Sequence, residues 1–144
     1  MTTCGEASLW AEGLARLKAR LAAQRHESMY LLALGGKRAG LRVAYKIHGD
    51  REVARAPLAA LVRGALKTRA GDFLLLHNHP SGNPAPSPAD LSATRRLQRA
   101  LELIGLRLED HLILAAAGSF SFSAAGLLQN NLLLKVPGVG GVGP

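Results

Sequence analysis

The amino-acid sequence predicts a single α/β domain in which helices flank a mixed β-sheet. Two observations lead to this class. The spacing of apolar residues alternates between the helical and the strand period, and the resulting order is helix, hairpin, helix, strand, helix and two strands. The 144-residue chain is also 48% hydrophobic, enough for one buried core, while aromatic residues make up only 4%. We therefore expect a core of leucine, alanine, valine and isoleucine.

The first third of the chain predicts a helix followed by a hairpin. Residues 4–24 form an amphipathic pattern in which apolar side chains recur at spacings of four, three and four. These side chains are Trp10, Leu14, Leu17 and Leu21. Thr3 and Glu6 fit a capping box at the start of this helix. Residues 28–34 and 41–47 predict two strands, and the turn-forming "GGKRAG" between them predicts a hairpin.

The middle of the chain predicts a helix and a buried strand. The helix begins at Pro57, a favourable first-turn residue, and is ended by Gly71. Its apolar face comprises Leu58, Leu61, Val62, Ala65 and Leu66. Residues 72–79 form an apolar run that ends in two histidines. Such a run is typical of a central strand that is buried on both faces.

The last third predicts one helix and two strands. Ser87 and Pro88 begin the helix and Gly105 ends it. Its inward side chains are Leu91, Leu97, Leu101 and Ile104. Residues 106–117 and 119–123 predict the last strands, and 125–135 a closing segment. We divide the chain into an N-terminal helix (1–25), a folded domain (26–135) and a glycine-rich tail (136–144) that is expected to be mobile.

Charge and cysteine content narrow the class of protein. The formal charge of +8 favours acidic partners, with nucleic acid first among them, although a solvated arginine-rich surface would give the same balance. A single cysteine, Cys4, excludes a disulfide framework and a multi-cysteine zinc site. Charged residues interrupt the first twenty positions, so we expect neither a signal peptide nor a membrane span. With one cysteine and no such segment, we expect a cytoplasmic protein without a membrane partner. The oligomeric state is not determined by the sequence.

The stretch "HNHPSGNPAPSPAD" carries the most chemistry. Side chains on a strand alternate, so His77 and His79 are expected to point the same way, and four prolines stiffen the loop that leads to Asp90. Two nitrogens and one carboxylate oxygen suit a catalytic Zn²⁺ whose fourth position is left to water, with a pKa lowered to about 7. Alternatively, Ser87 and Asp90 form a capping pair and the histidines bond a turn.

A hydrolytic site also needs a general base to accept a proton from water. Glu27 is the first candidate because it opens the strand "ESMYLLAL", and Glu52 is the second. By position alone, a glutamate at either place is more often a solvated charge at a strand end.

The pattern of Glu27, His77, His79, Pro86–Ser87 and Asp90 resembles the JAMM (MPN-type) metalloprotease signature. The loop is closer still to the bacterial RadC family, whose loop reads HNHPSG-x-x-x-PS-x-x-D. Further matches are "REV" (51–53), "DHLIL" (110–114) and "SFSAAGLL" (121–128), so the resemblance covers most of the chain.

The resemblance implies a fold, a site and an activity. The fold would be a three-layer, cytidine-deaminase-like α/β sandwich. His77, His79 and Asp90 would bind zinc, Glu27 would be the general acid/base, and Ser87 would stabilise the oxyanion. Asn78 and Ser81 would shape the loop. RadC proteins commonly carry an N-terminal helix-hairpin-helix region, whereas this chain has a single helix there.

Three functions remain open at this point. The first is a zinc-dependent hydrolase of the RadC/JAMM type that cleaves a peptide or isopeptide bond in a protein or peptide substrate. The second is a DNA-repair-associated DNA-binding protein or a metal-dependent nuclease, because of the basic charge and because RadC proteins are traditionally labelled DNA repair proteins. The third is a scaffold whose site is structural.

Overall fold

The computed structural model of this protein describes residues 4–35, 41–49 and 57–128. It contains three helices and five strands in the predicted order. The helices are α1 (Cys4–Ala22), α2 (Leu58–Thr68) and α3 (Pro88–Leu103). The strands are β1 (Ser28–Leu34), β2 (Arg42–His48), β3 (Asp72–Asn78), β4 (Arg107–Ala115) and β5 (Gly118–Ser121). Thr3, the hairpin turn, the "REV" segment with Glu52, and the tail 136–144 lie outside the described residues.

The five strands form one mixed sheet in the order β2-β1-β3-β4-β5. β1 pairs antiparallel with β2, as predicted for the hairpin, and also antiparallel with β3. β3 and β4 are parallel and α3 connects them, while β5 folds back antiparallel on β4. The central strand β3 is buried along nearly its whole length, which confirms the interpretation of its continuous apolar run.

Helices cover both faces of the sheet, so the fold has three layers. One face packs against α2 and α3, and β3 contributes Phe73 and Leu75 to it. The other face packs against α1, whose Leu17 and Leu21 share one buried cluster with Leu74 and Leu76. The alternation of side chains along β3 explains this division. The predicted α/β fold with a helix-flanked mixed sheet is confirmed.

The predicted helix faces were wrong at two positions. Leu66 is 54% exposed, because the side of α2 that meets the sheet is centred on Leu61 and Ala65. Ile104 is 45% exposed, because it is the C-cap of α3 and its side chain leaves the helical face. The predicted end of α2 was also wrong. Arg69, in the left-handed conformation with φ 58°, ends the helix two residues before Gly71.

Within the described ranges, no helix has the length and apolar character needed to span a bilayer.

We expect Gly64→Ala to destabilise the fold. A Cβ at Gly64 would lie 2.3 Å from the carbonyl oxygen of Ala44, so α2 would have to move away from β2. Alanine improves helix propensity by about 0.5–1 kcal/mol, but overpacking costs about 1–3 kcal/mol, so the clash should dominate. Chemical denaturation measures the change. Gly71→Ala is the matched control, since a Cβ there meets no described atom within 4 Å. Equal stability of the two variants would contradict this close approach.

Candidate metal centre

The site lies where the C-terminal end of β3 meets the N-terminal end of β1. Because these strands are antiparallel and Met29 pairs with His77, extending the register by two residues sets Glu27 opposite His79. One carboxylate oxygen of Glu27 lies 3.7 Å from Nε2 of His77. Glu27, His77 and His79 together form a group whose ligand atoms all lie within 4.8 Å of one another and could hold a metal ion.

The two histidines face the same carboxylate, as the strand alternation predicted. His77 Nδ1 lies 3.6 Å from Asp90 Oδ1, and His79 Nε2 lies 3.1 Å from Asp90 Oδ2. Their rings meet edge to face, with centroids 4.7 Å apart. His79 follows the last residue of β3, and its backbone N–H donates to Leu114, which continues the pairing with β4. The ligand-bearing segment is therefore anchored to the sheet.

Asp90 has two roles in this geometry. The backbone N–H of Ser87 donates to Asp90 Oδ2 at 2.8 Å, and the N–H of Asp90 donates to Ser87 Oγ at 3.0 Å. The capping pair considered from sequence is therefore present at the start of α3. This capping interaction leaves the carboxylate close to both histidines, with Oδ1 3.6 Å from His77 Nδ1 and Oδ2 3.1 Å from His79 Nε2.

The protonation of this cluster points to a cation. His79 Nδ1 lies 3.0 Å from the carbonyl oxygen of Asn83, which can only accept, so Nδ1 carries a proton. In a neutral ring, Nε2 then has a lone pair directed at Asp90 Oδ2. Two acceptors this close require a positive charge between them, either a proton or a metal ion. Both ring nitrogens of His77 are also buried without a hydrogen-bond partner. The residues therefore fit a metal ion.

Comparison with known proteins decides the family. The protein-family model described as the RadC-like JAB domain matches residues 8–127 of this chain. The chain belongs to this family.

Relatives of this RadC-like JAB domain carry the name UPF0758. One from Xylella fastidiosa is 38% identical over 109 residues, which cover 76% of this chain and 49% of the relative. One from Acinetobacter baumannii is 33% identical over 113 residues, or 78% of this chain and 48% of the relative. One from Bordetella avium is 48% identical over 68 residues, which cover 47% of this chain and 30% of the relative. The chain thus spans about half the length of these relatives, or less.

The site of the RadC-like JAB domain opens into a cleft of about 300 Å³. It is lined by Glu27, His79, Ser81, Asn83, Ala85, Ser87 and Asp90. Local hydrogen bonds shape its loop, since Ser81 Oγ accepts from the Asn83 N–H and Asn83 Oδ1 accepts from the Ala85 N–H. Ser87 Oγ accepts its capping bond with a lone pair, which leaves its own proton for a molecule in the cleft.

A histidine that the sequence reasoning did not select lies behind this cleft. His111 on β4 is buried and stacks on Phe122, with ring centroids 4.4 Å apart. Its Nδ1 lies 2.7 Å from Thr94 Oγ1, which donates to the carbonyl oxygen of Asp90. The "DHLIL" match contained the signal, a histidine inside an apolar strand.

Ionisation in the cluster follows from burial. Burial lowers the pKa of His77 to about 4; the Asp90 carboxylate opposes this shift and His79 adds to it. Burial lowers the pKa of His111 to about 3. For Asp90, burial alone would raise the pKa, but hydrogen bonds from Ser87 and the nearby histidines bring it below its ordinary value. Near neutral pH, His77 and His111 are therefore neutral and Asp90 is ionised.

We expect the stability of the metal-free protein to fall as the pH drops from about 6.5 towards 4. In this window the unfolded chain binds protons at His77 and His111 that the folded protein excludes, so the free energy of unfolding rises with pH. Each histidine contributes up to about 1.4 kcal/mol per pH unit. Below pH 4, protonation of Asp90 removes further stability. Denaturant unfolding in chelator at several pH values measures the slope.

His111→Phe is the control, because phenylalanine can keep the stacking on Phe122 but does not titrate. This variant should show about half the slope. A free energy of unfolding that stays constant between pH 4.5 and 6.5 would contradict the burial of neutral imidazoles.

Proposed function

We propose that this RadC-like JAB domain is a zinc-dependent hydrolase that cleaves a peptide or isopeptide bond, with His77, His79 and Asp90 as the metal ligands. The observation that carries the proposal is the convergence of the two histidines on one buried carboxylate: His77 Nδ1 lies 3.6 Å from Asp90 Oδ1, His79 Nε2 lies 3.1 Å from Asp90 Oδ2, and both ring nitrogens of His77 are buried without a hydrogen-bond partner.

The distances and the ligand types support zinc. Ligands about 2.0–2.2 Å from a tetrahedral zinc ion lie about 3.3–3.6 Å from one another. His77 Nδ1 lies 3.6 Å from Asp90 Oδ1 and His79 Nε2 lies 3.1 Å from Asp90 Oδ2, so each histidine is within about 0.2 Å of this range from one of the two carboxylate oxygens. Two imidazoles and one carboxylate suit zinc better than Mg²⁺, which prefers oxygen ligands. When bound, zinc would polarise a carbonyl group and lower the pKa of water.

The remaining polar groups of the cleft supply the other parts of a hydrolase. Glu27 lines the cleft and its side chain is 29% exposed, so its carboxylate can accept a proton from water and later pass it to the leaving amine. Ser87 can donate its hydroxyl proton to the negative charge that develops on the carbonyl oxygen. These roles agree with those that the RadC/JAMM resemblance implies.

The charge of the cleft favours an amide over a phosphodiester. Among the described residues, its lining contains two carboxylates and neither lysine nor arginine. Zinc would face either substrate, but a phosphodiester would also bring a negative charge towards Glu27 with no cationic side chain in the described lining to balance it, whereas a neutral amide has no such cost.

Cleavage of a complex peptide mixture tests this proposal. A proteome-derived digest and a set of lysine-isopeptide conjugates are incubated with zinc-loaded and with chelator-stripped protein, and new amino groups are identified by mass spectrometry. New termini should form only with zinc-loaded protein. Absence of cleavage by protein that carries about one zinc per chain would reject hydrolysis of amide bonds by this domain.

A second candidate function is association with DNA, and one observation favours it. The helices α2 and α3 lie on the same face of the sheet and expose cationic side chains, while Glu102 is their one acidic residue besides the buried Asp90. These cations are Arg63, Lys67, Arg95, Arg96 and Arg99. Duplex DNA is the partner that such a surface would fit.

Fluorescence anisotropy with a labelled duplex tests this second candidate. The logarithm of the association constant should fall linearly with the logarithm of salt concentration, with a slope near −0.9 per phosphate contact. An Arg95→Ala/Arg96→Ala/Arg99→Ala variant should bind more weakly. Absent or salt-independent binding would reject DNA association, and added Mg²⁺ or Mn²⁺ reveals any nuclease activity.

A further inference from the structure

We infer that Asn78 is a positioning residue that holds Glu27 against the metal ligands. The inference rests on the role proposed above for Glu27 as the general acid/base. Asn78 lies between His77 and His79 in the chain, but its side chain makes its hydrogen bonds to the neighbouring strand segment.

The amide of Asn78 binds the backbone on both sides of Glu27. Its Oδ1 accepts from the Ser28 N–H at 2.6 Å, and its Nδ2 donates to the carbonyl oxygen of His26 at 2.9 Å. Asn78 is 1% exposed, so these bonds are shielded from water. A side-chain amide thus takes the place of backbone pairing where β1 begins and β3 ends.

A third hydrogen bond holds the backbone around Glu27 from the opposite side. The carbonyl oxygen of Glu27 accepts from the Gly49 N–H at 2.9 Å. The chain around Glu27 is therefore held from β3 by Asn78 and from the end of β2 by Gly49. Because the direction of a side chain follows from its backbone, these bonds decide how the Glu27 carboxylate meets His77 Nε2.

The strand itself has other anchors, so the loss of Asn78 should be local. Ser28 Oγ donates to Gln24 Oε1 at 2.7 Å and lies 2.8 Å from His48 Nδ1. β1 also pairs along its length with β2 and β3. A variant that lacks the amide should therefore keep the sheet while loosening the residues around Glu27.

Asn78 also differs from the metal ligands in what it controls. In the described structure its side-chain hydrogen bonds go to the segment that carries Glu27, and none of them joins Asn78 to Asp90 or to an imidazole. Its removal should therefore affect proton transfer and leave the affinity for zinc unchanged.

The experiment compares Asn78→Leu, which removes both bonds, with Asn78→Asp, which keeps an acceptor for the Ser28 N–H. Zinc affinity is measured by competition with a chromophoric chelator, and cleavage is measured on a peptide found by the assay described above. Asn78→Leu should bind zinc like the wild type, keep KM, and lose about 10–100-fold in kcat, because small misplacements of a catalytic group have effects of this size. Asn78→Asp should also lose kcat, because it keeps the bond from the Ser28 N–H but sets a second oxygen against the His26 carbonyl oxygen.

Backbone amide exchange gives a readout that does not depend on activity. The Ser28 N–H should exchange faster in Asn78→Leu than in the wild type, while amides in the middle of β3 stay protected. Gly64→Ala is the control for general destabilisation: it should lower the melting temperature and keep both kcat and the slow exchange of Ser28.

Each outcome decides the inference. Unchanged exchange at Ser28, or an unchanged kcat in Asn78→Leu, would overturn it. A parallel loss of zinc affinity would also overturn it, since Asn78 would then support the metal ligands. If wild-type protein cleaves no substrate, the proposed function fails by itself, and the exchange of Ser28 still decides whether Asn78 holds the Glu27 segment.

Discussion

Replacing Glu27 with glutamine should leave zinc bound and lower kcat by about 10²–10⁴-fold, the usual contribution of a general acid/base. Glutamine has nearly the same shape but accepts no proton. Glu27 lines the same cleft as His79, Ser87 and Asp90, so the lost group would be one that faces the reacting atoms. Metal content and steady-state kinetics on the same preparation measure both parts of the prediction.

The metal content of Glu27→Gln distinguishes a base from a ligand, because the ligand atoms of Glu27, His77 and His79 all lie within 4.8 Å of one another and Glu27 could itself bind the metal. Loss of zinc in Glu27→Gln would identify Glu27 as a ligand and would contradict its role as the base. Full activity with zinc bound would instead transfer the role of base to another group, with Glu52 as the next candidate. Glu27→Asp, which retracts the carboxylate, should recover part of kcat.

Removing the charge of Asp90 should weaken zinc binding by more than the roughly 10–100-fold that is typical of groups outside the ligand shell. The carboxylate is buried and ionised, and its two oxygens lie 3.6 Å from His77 Nδ1 and 3.1 Å from His79 Nε2. Asp90→Asn tests the charge alone, because its side-chain oxygen can still accept from the Ser87 N–H. Asp90→Ala removes the charge and the capping acceptor together.

A matched control separates metal binding from helix capping. Ser87→Ala removes the hydroxyl that accepts from the Asp90 N–H and should cost about 1 kcal/mol of stability, while the carboxylate remains. Zinc affinity, measured by chelator competition, should therefore be near that of the wild type in Ser87→Ala and strongly reduced in Asp90→Asn. Equal affinities in these two variants would show that Asp90 acts as a capping residue and not as a ligand.

Most of the fold could be predicted because its signals are local. The change from period 3.6 to period 2, the Ser87–Pro88 start of α3 and the apolar run of β3 each depend on a few neighbouring residues. The failure at Leu66 arose because the side of α2 that meets the sheet is centred on Leu61 and Ala65, and only the packing of α2 on the sheet decides this. The failure at Ile104 arose at the C-cap of α3, where the helical period ends. The C-cap at Arg69 was missed because a non-glycine residue in the left-handed conformation has a weak sequence signal.

The sequence by itself determined the types and the spacing of the candidate ligands. The strand period sets His77 and His79 on one side, and the capping signature ties Asp90 to the start of α3. Only the tertiary structure showed that Glu27 and a third histidine, His111, lie nearby. Ser28 and Asn78 are 50 residues apart in the chain. Glu27 reaches the histidines because β1 pairs antiparallel with β3, and His111 lies behind Asp90 because β4 is the other neighbour of β3. The order of strands in a sheet follows from long-range packing, which no short segment encodes.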